Sequence, residues 1–223
     1  MHDPQIVQRV FESDTADHVM TVLHEDGLYR HIRFARPDGS SLYRYDLITW
    51  PGYLSIVGDV GDFTFRRLAD MVEFFASGRG INPSYWAEKA TGTRAALYET
   101  DVDAARQQVT ERYDGWVTDR GLMKADPVGA TWARLVDLME DFEGGPEAIA
   151  HALGEWGCWD GLDLRDYWDW NLDCLTWRFL YVCHAIRAGV DRYRGGGPTR
   201  SAIAGPAPST TRPVITITPG SVL

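Results

Sequence analysis

Between His18 and Arg66 apolar and polar residues alternate with a period of two, and four glycine dipeptides, Asp26-Gly27, Asp38-Gly39, Pro51-Gly52 and Val60-Gly61, punctuate the alternation. Runs rich in Tyr, Ile, Val, Phe and Thr between such dipeptides are the signature of consecutive hairpins. The segment 17–66 therefore predicts a five-stranded antiparallel meander. If every connection is a two-residue turn, one register follows. Leu28, Ile32 and Phe34 share a core face with Tyr43, Tyr45, Leu47, Leu54, Ile56, Phe63 and Phe65. The opposite face collects His24, His31, Arg33, Arg44, Asp46, Ser55, Asp59, Thr64 and Arg66, with Tyr29, Ile48 and Val57 among them, because side chains alternate along a strand.

Outside the meander the apolar spacing is helical. A short helix is expected over 2–12, and a second from Arg67 through Leu68, Met71, Val72 and Phe75 to the stop at Ser77-Gly78. Asn82-Pro83-Ser84 reads as a helix start with Asn82 or Ser84 as cap, leading into Tyr85, Trp86, Glu88 and Lys89. Further helices are expected over about 101–118, 128–142, 145–154 and 172–193. The last shows the clearest stripe, Leu175, Phe179, Val182, Ile186 and Val190, and its expected partner is the apolar face of the sheet. The fold class that results is α+β, an N-terminal five-stranded antiparallel meander packed against C-terminal helices. Residues 1–194 are expected to form a single domain, with sheet over 17–66 and mainly helix over 67–193. The Gly- and Pro-rich segment 195–223 reads as a disordered tail in which Val214 to Thr218 is a potential edge strand.

Composition narrows the function classes. A formal net charge of -10 argues against general nucleic-acid binding, which needs a basic surface. Asp3, Arg9, Glu12 and Asp14 precede any apolar run, unlike a signal peptide, and no stretch approaches the roughly 20 apolar residues of a membrane span. Cys158, Cys174 and Cys183 form no metal-type pair, which fits reduced thiols and a cytoplasmic location.

The two-residue turns would set His31 directly across from Asp46, Arg44 across from Asp59, and Asp59 across from Asp62. A His31–Asp46 pair is the arrangement of a general base, although opposed charges also simply support a solvated face. Asp59 and Asp62 facing each other could share a divalent cation, or be ordinary turn formers. Arg33, Arg44 and Arg66 suit an anionic ligand such as a nucleotide stacked on Tyr29, Tyr53 or Trp50, with internal pairing to Asp46 and Asp59 as the alternative. Trp156, Trp159, Trp168, Trp170 and Trp177, interleaved with Asp160, Asp163, Asp166, Asp169 and Asp173, are either a protein-binding patch or core beneath an acidic rim.

The run Tyr45-Asp46-Leu47-Ile48-Thr49-Trp50-Pro51-Gly52-Tyr53-Leu54, with Gly58-Asp59, Phe63-Thr64-Phe65, Asp70-Met71-Val72-Glu73-Phe74-Phe75 and Ile81-Asn82-Pro83-Ser84-Tyr85-Trp86, resembles uncharacterised proteins of tailed bacteriophages and prophages. Trp177 to Ile186 is similar to that family's terminal helix. The resemblance implies a phage or prophage origin and action inside a bacterial host, and it brings no catalytic residues. The expectation is a non-enzymatic accessory protein that binds a host protein or an anionic small molecule, with the cofactor unassigned. A metal-assisted phosphoester hydrolase built on His31, Asp46, Asp59 and Asp62 is one alternative. A structural or assembly protein, as a homo-oligomer, is the other.

Overall fold

A computed structural model describes residues 2–78, 80–121 and 126–196. Helix α1 (Pro4–Asp14) begins where Asp3 accepts a hydrogen bond from the Gln5 N–H. The five-stranded antiparallel sheet follows in sequence order, β1 (Val19–Asp26), β2 (Tyr29–Ala35), β3 (Tyr45–Trp50), β4 (Tyr53–Gly58) and β5 (Phe63–Arg66). The segment around Ala90 lines the outer edge of β5: Arg66 N–H donates to Lys89 O at 2.9 Å and Thr91 N–H to Thr64 O at 2.8 Å. Then come α2 (Met71–Ala76), α3 (Pro83–Ala87), α4 (Arg94–Leu97), β6 (Tyr98–Thr100), α5 (Val102–Asp119), α6 (Asp126–Glu140), α7 (Pro146–Trp156), β7 (Cys158–Trp159), β8 (Leu162–Asp163), β9 (Asp173–Leu175) and α8 (Trp177–Arg194).

The face assignment holds, and the register does not. Ile32, Phe34, Tyr45, Leu47, Leu54, Ile56, Phe63 and Phe65 are all buried. Yet Arg33, not His31, pairs with Asp46, and His31 pairs with Ile48. Ser55 pairs with Thr64 and Ile56 with Phe63, so Asp59 and Asp62 are not opposed. The cause is loop length. The β2–β3 connection spans 36–44 and the β4–β5 connection 59–62, and only Pro51-Gly52 is the two-residue turn expected. Each error shifts the pairing by two residues, an even step that leaves every side chain on its own face. The first turn is Gly27-Leu28 rather than Asp26-Gly27, and the β1–β2 ladder slips between Val22 and His24.

Helix α8 crosses the apolar face, with Phe179, Val182, Cys183, Ile186 and Val190 in one cluster with the sheet, α1, α2 and α3. It approaches closely at Gly189, where an added Cβ would stand 2.7 Å from Leu47 Cδ1 and 3.1 Å from Phe34. The predicted start at 172 is early by more than one turn. Residues 173–175 are strand, and Thr176 caps the helix by accepting the Phe179 N–H.

The helices α5, α6 and α7 do not join that cluster. They pack on one another around Ala105, Val109, Trp116, Leu135, Phe142, Ile149, Leu153 and Leu164, a second apolar cluster contributed by the middle of the chain. Strands β6 and β9 pair antiparallel, Thr100 against Asp173, and so bring the two ends of this helical segment together. The acidity lies there as well. Residues 101–172 carry 16 Asp and Glu against 6 Lys and Arg, the whole net charge of -10, while the other 151 residues carry 16 of each. Among the described residues, no helix is long and apolar enough to cross a membrane. Of the expected disordered tail Gly195 caps α8, and residues from 197 on, the Val214 to Thr218 segment among them, lie outside the described residues.

Candidate functional site

The sheet face turned away from α8 gathers most of the residues singled out from the sequence, while Asp59 lies in a loop that borders α8, and the groupings differ from the expected ones. At its centre Asp46, 7% exposed, accepts three hydrogen bonds. The donors are Arg33 Nε at 2.9 Å, Arg33 Nη2 at 2.8 Å and His31 Nε2 at 2.6 Å. His31 reaches Asp46 diagonally, two residues along β3 from its strand partner Ile48. Burial works to raise the Asp46 pKa, but the bonds and charges of Arg33 and His31 outweigh it, so the carboxyl ends below its ordinary value. Both carboxylate oxygens are occupied. Arg33, in turn, has its fork committed to Asp46 and is not a free anion receptor.

A second grouping forms at the turn end of the sheet. Trp50 and Tyr53 flank Pro51-Gly52 as a direct cross-strand pair, and their rings stack 5.1 Å apart at 14°. Arg66 pairs with Tyr53 across the next ladder and sets its guanidinium 5.8 Å from the ring centre, a cation–π contact. Extending the β2–β3 register by one residue puts Tyr29, 55% exposed, beside Trp50. The result is a stack in the order Arg66, Tyr53, Trp50 that ends at a half-buried indole next to an exposed phenol. In the neighbouring row Ser55 and Thr64 share a hydrogen bond of 2.6 Å, and His24 faces His31.

Asp59 and Asp62 are drawn into backbone work. Asp59 accepts the Tyr43 N–H at 2.7 Å and Asp62 the Gly58 N–H at 3.0 Å. Asp59 also lines a small cavity of about 270 Å³ with Asp14, Arg178 and Tyr181, apart from His31. No group of three or more His, Cys, Asp or Glu among the described residues is placed to hold a metal ion. Arg44 does lie level with Asp59, whose N–H donates to Arg44 O at 2.9 Å, but its side chain is exposed and makes no hydrogen bond or ion pair among the described residues. Arg44 and Arg66 stand at opposite ends of the sheet, roughly 20 Å apart at about 3.3 Å per residue, so the three arginines are not one cluster.

Pairs that the sequence reading missed include Arg30 with Asp70, a bidentate bridge with both bonds at 2.8 Å. Asp70 also caps α2 through the Val72 N–H, and the Arg30 bond is the main cause that lowers its pKa. The only sequence signal was an arginine at a core-parity position. In the helical segment Asp160, Asp163 and Asp166 pair with Arg120, Arg165 and Arg112, and Asp173 pairs with Arg94. Trp156 is buried, while Trp159 and Trp168 are exposed, Trp159 beneath Arg134 at 3.7 Å.

Comparison of the chain with protein-family models, curated proteins and solved structures finds no match.

Proposed function

We propose that the protein is a non-catalytic binding protein, of phage or prophage origin and acting in a bacterial host. In this reading its open sheet face takes a small anionic ligand with a planar ring, of nucleotide-like chemistry. The observation that carries this reading is the Arg66–Tyr53–Trp50 stack, open at Trp50 and flanked by Tyr29. A further planar ring extends an existing stack at little ordering cost, and such contacts are worth about 1–3 kcal/mol per base. The charge balance supports it too, since the acidic excess resides in residues 101–172 and leaves the rest of the chain neutral.

Titration with adenosine and guanosine mono- and triphosphates, followed by tryptophan fluorescence and thermal shift, tests the reading. Saturable binding should be lost in Trp50→Leu, fall in Arg66→Glu and persist in Arg44→Glu. No saturable signal with any nucleotide, or unchanged binding by Trp50→Leu, would sink it. The hydrolase alternative retains the His31–Asp46 bond of 2.6 Å as its support. The carboxylates it would need for a cation, Asp59 and Asp62, are spent on backbone amides, so binding is the better reading.

A further inference from the structure

The segment around Asn82 to Lys89 takes no part in the sheet face, yet it forms one wall of a cleft of about 690 Å³. Ligand pockets occupy roughly 300–1,000 Å³. The cleft lies between α2 and α3, and its walls are aromatic. Phe74 and Tyr85 rings stand 5.9 Å apart, and Trp86 is held edge-on against Phe75 at 4.7 Å. At the mouth, Leu68 is 47% and Tyr85 38% exposed, so apolar surface is left to water.

These walls are fixed in place by polar contacts behind them. Asp70, clamped by Arg30, caps α2, and Asn82 caps α3 by accepting the Tyr85 N–H at 3.1 Å. Arg187 donates to Phe75 O at 3.3 Å and Ser77 O at 3.2 Å, pinning the end of α2. A cleft organised before the ligand arrives loses less entropy on binding.

The charge at the cleft has a sign. Arg67 lines it, is exposed, and has no hydrogen bond or ion pair among the described residues. Lys89 Nζ lies 4.5 Å from the Tyr85 ring centre, its charge shared with Glu88 at 3.0 Å. Among the described residues of the lining the carboxylate is Glu73, which stands 3.7 Å from Arg194, and that cation offsets it. An uncommitted guanidinium beside aromatic walls recognises a carboxylate or sulfonate on an apolar body.

We infer that this cleft is a binding site for a small organic anion with an aromatic or hydrocarbon body, distinct from the sheet face. The test uses the full chain with two probes of similar shape, anionic 1-anilinonaphthalene-8-sulfonate and uncharged N-phenyl-1-naphthylamine. Both should bind saturably at one site, with energy transfer from tryptophan. Arg67→Glu should weaken the sulfonate about tenfold or more and the uncharged probe less than about twofold, the size expected for a charge-assisted contact. Tyr85→Asp should weaken both. Should circular dichroism show that Tyr85→Asp unfolds, Leu68→Asp at the exposed mouth takes its place. Trp50→Leu should change neither, which separates this site from the sheet-face reading. Sulfonate binding that is absent, unsaturable, or indifferent to Arg67→Glu and to the mouth variant overturns the inference.

Discussion

Replacing Asp46 with Ala removes the carboxylate that Arg33 and His31 share and leaves a cationic guanidinium beside a new void. Breaking a fully buried ion pair costs about 3–5 kcal/mol, and a surface pair is worth about 0–1. Asp46 belongs to the first class, its side chain 11% exposed, while Arg33 at 37% and His31 at 33% can be partly rehydrated. The cost should therefore fall between the limits, near 2 kcal/mol, or about 4–8 °C in Tm for a chain of this size. Denaturant unfolding at pH 7 measures it. In Asp46→Leu with Arg33→Leu the loss should be smaller than in Asp46→Ala alone, because no charge is stranded. The pH dependence has a definite sign. The Asp46 pKa is lower in the folded protein than in the unfolded chain, so its contribution is present above the ordinary carboxylate value of about 3.9 and fades as pH falls through the lowered one. The gap between native protein and variant should close in acid. A loss below about 0.5 kcal/mol at pH 7 would refute the reasoning, since such values are typical of surface sites without a network.

Other consequences follow from backbone geometry and burial. Gly58 has φ +136°, and a Cβ there would lie 2.4 Å from Arg44 O, so Gly58→Ala should cost about 2 kcal/mol or more in thermal unfolding; a variant as stable as the native protein contradicts this close approach. Excising residues 101–172 and joining Thr100 to Asp173 through Asn-Gly should close β6 and β9 as a hairpin and leave a cooperatively folding, near-neutral sheet protein. Loss of a cooperative transition would show that the two apolar clusters depend on each other. Cys158 is exposed, whereas burial pushes the Cys174 and Cys183 thiols up, so an aromatic disulfide reagent at pH 8 should react fast with one equivalent that disappears in Cys158→Ser. Two or three fast equivalents would contradict that burial.

The period-two alternation by itself determined which residues look into the core and which look out, and it was robust for a physical reason. Mistaking the 36–44 and 59–62 connections for two-residue turns displaced the pairing by two, and an even displacement preserves faces. Pro51-Gly52, with its expected turn, placed Trp50 against Tyr53 directly, and the helical stripes located α5, α6, α7 and the body of α8 within a few residues. The charge asymmetry around residues 101–172 was also written in the sequence, visible once the segment's limits are known. What only the tertiary structure decided was partnership. Whether Asp46 meets His31 or Arg33 squarely depends on how much chain a loop consumes, and the length of the 59–62 connection parts Asp59 from Asp62 in the same way, leaving each to accept a backbone N–H. An apolar stripe states that a helix has a buried side but not which element buries it, so the second cluster and the 40-residue reach from Arg30 to Asp70 emerge only when the chain closes on itself.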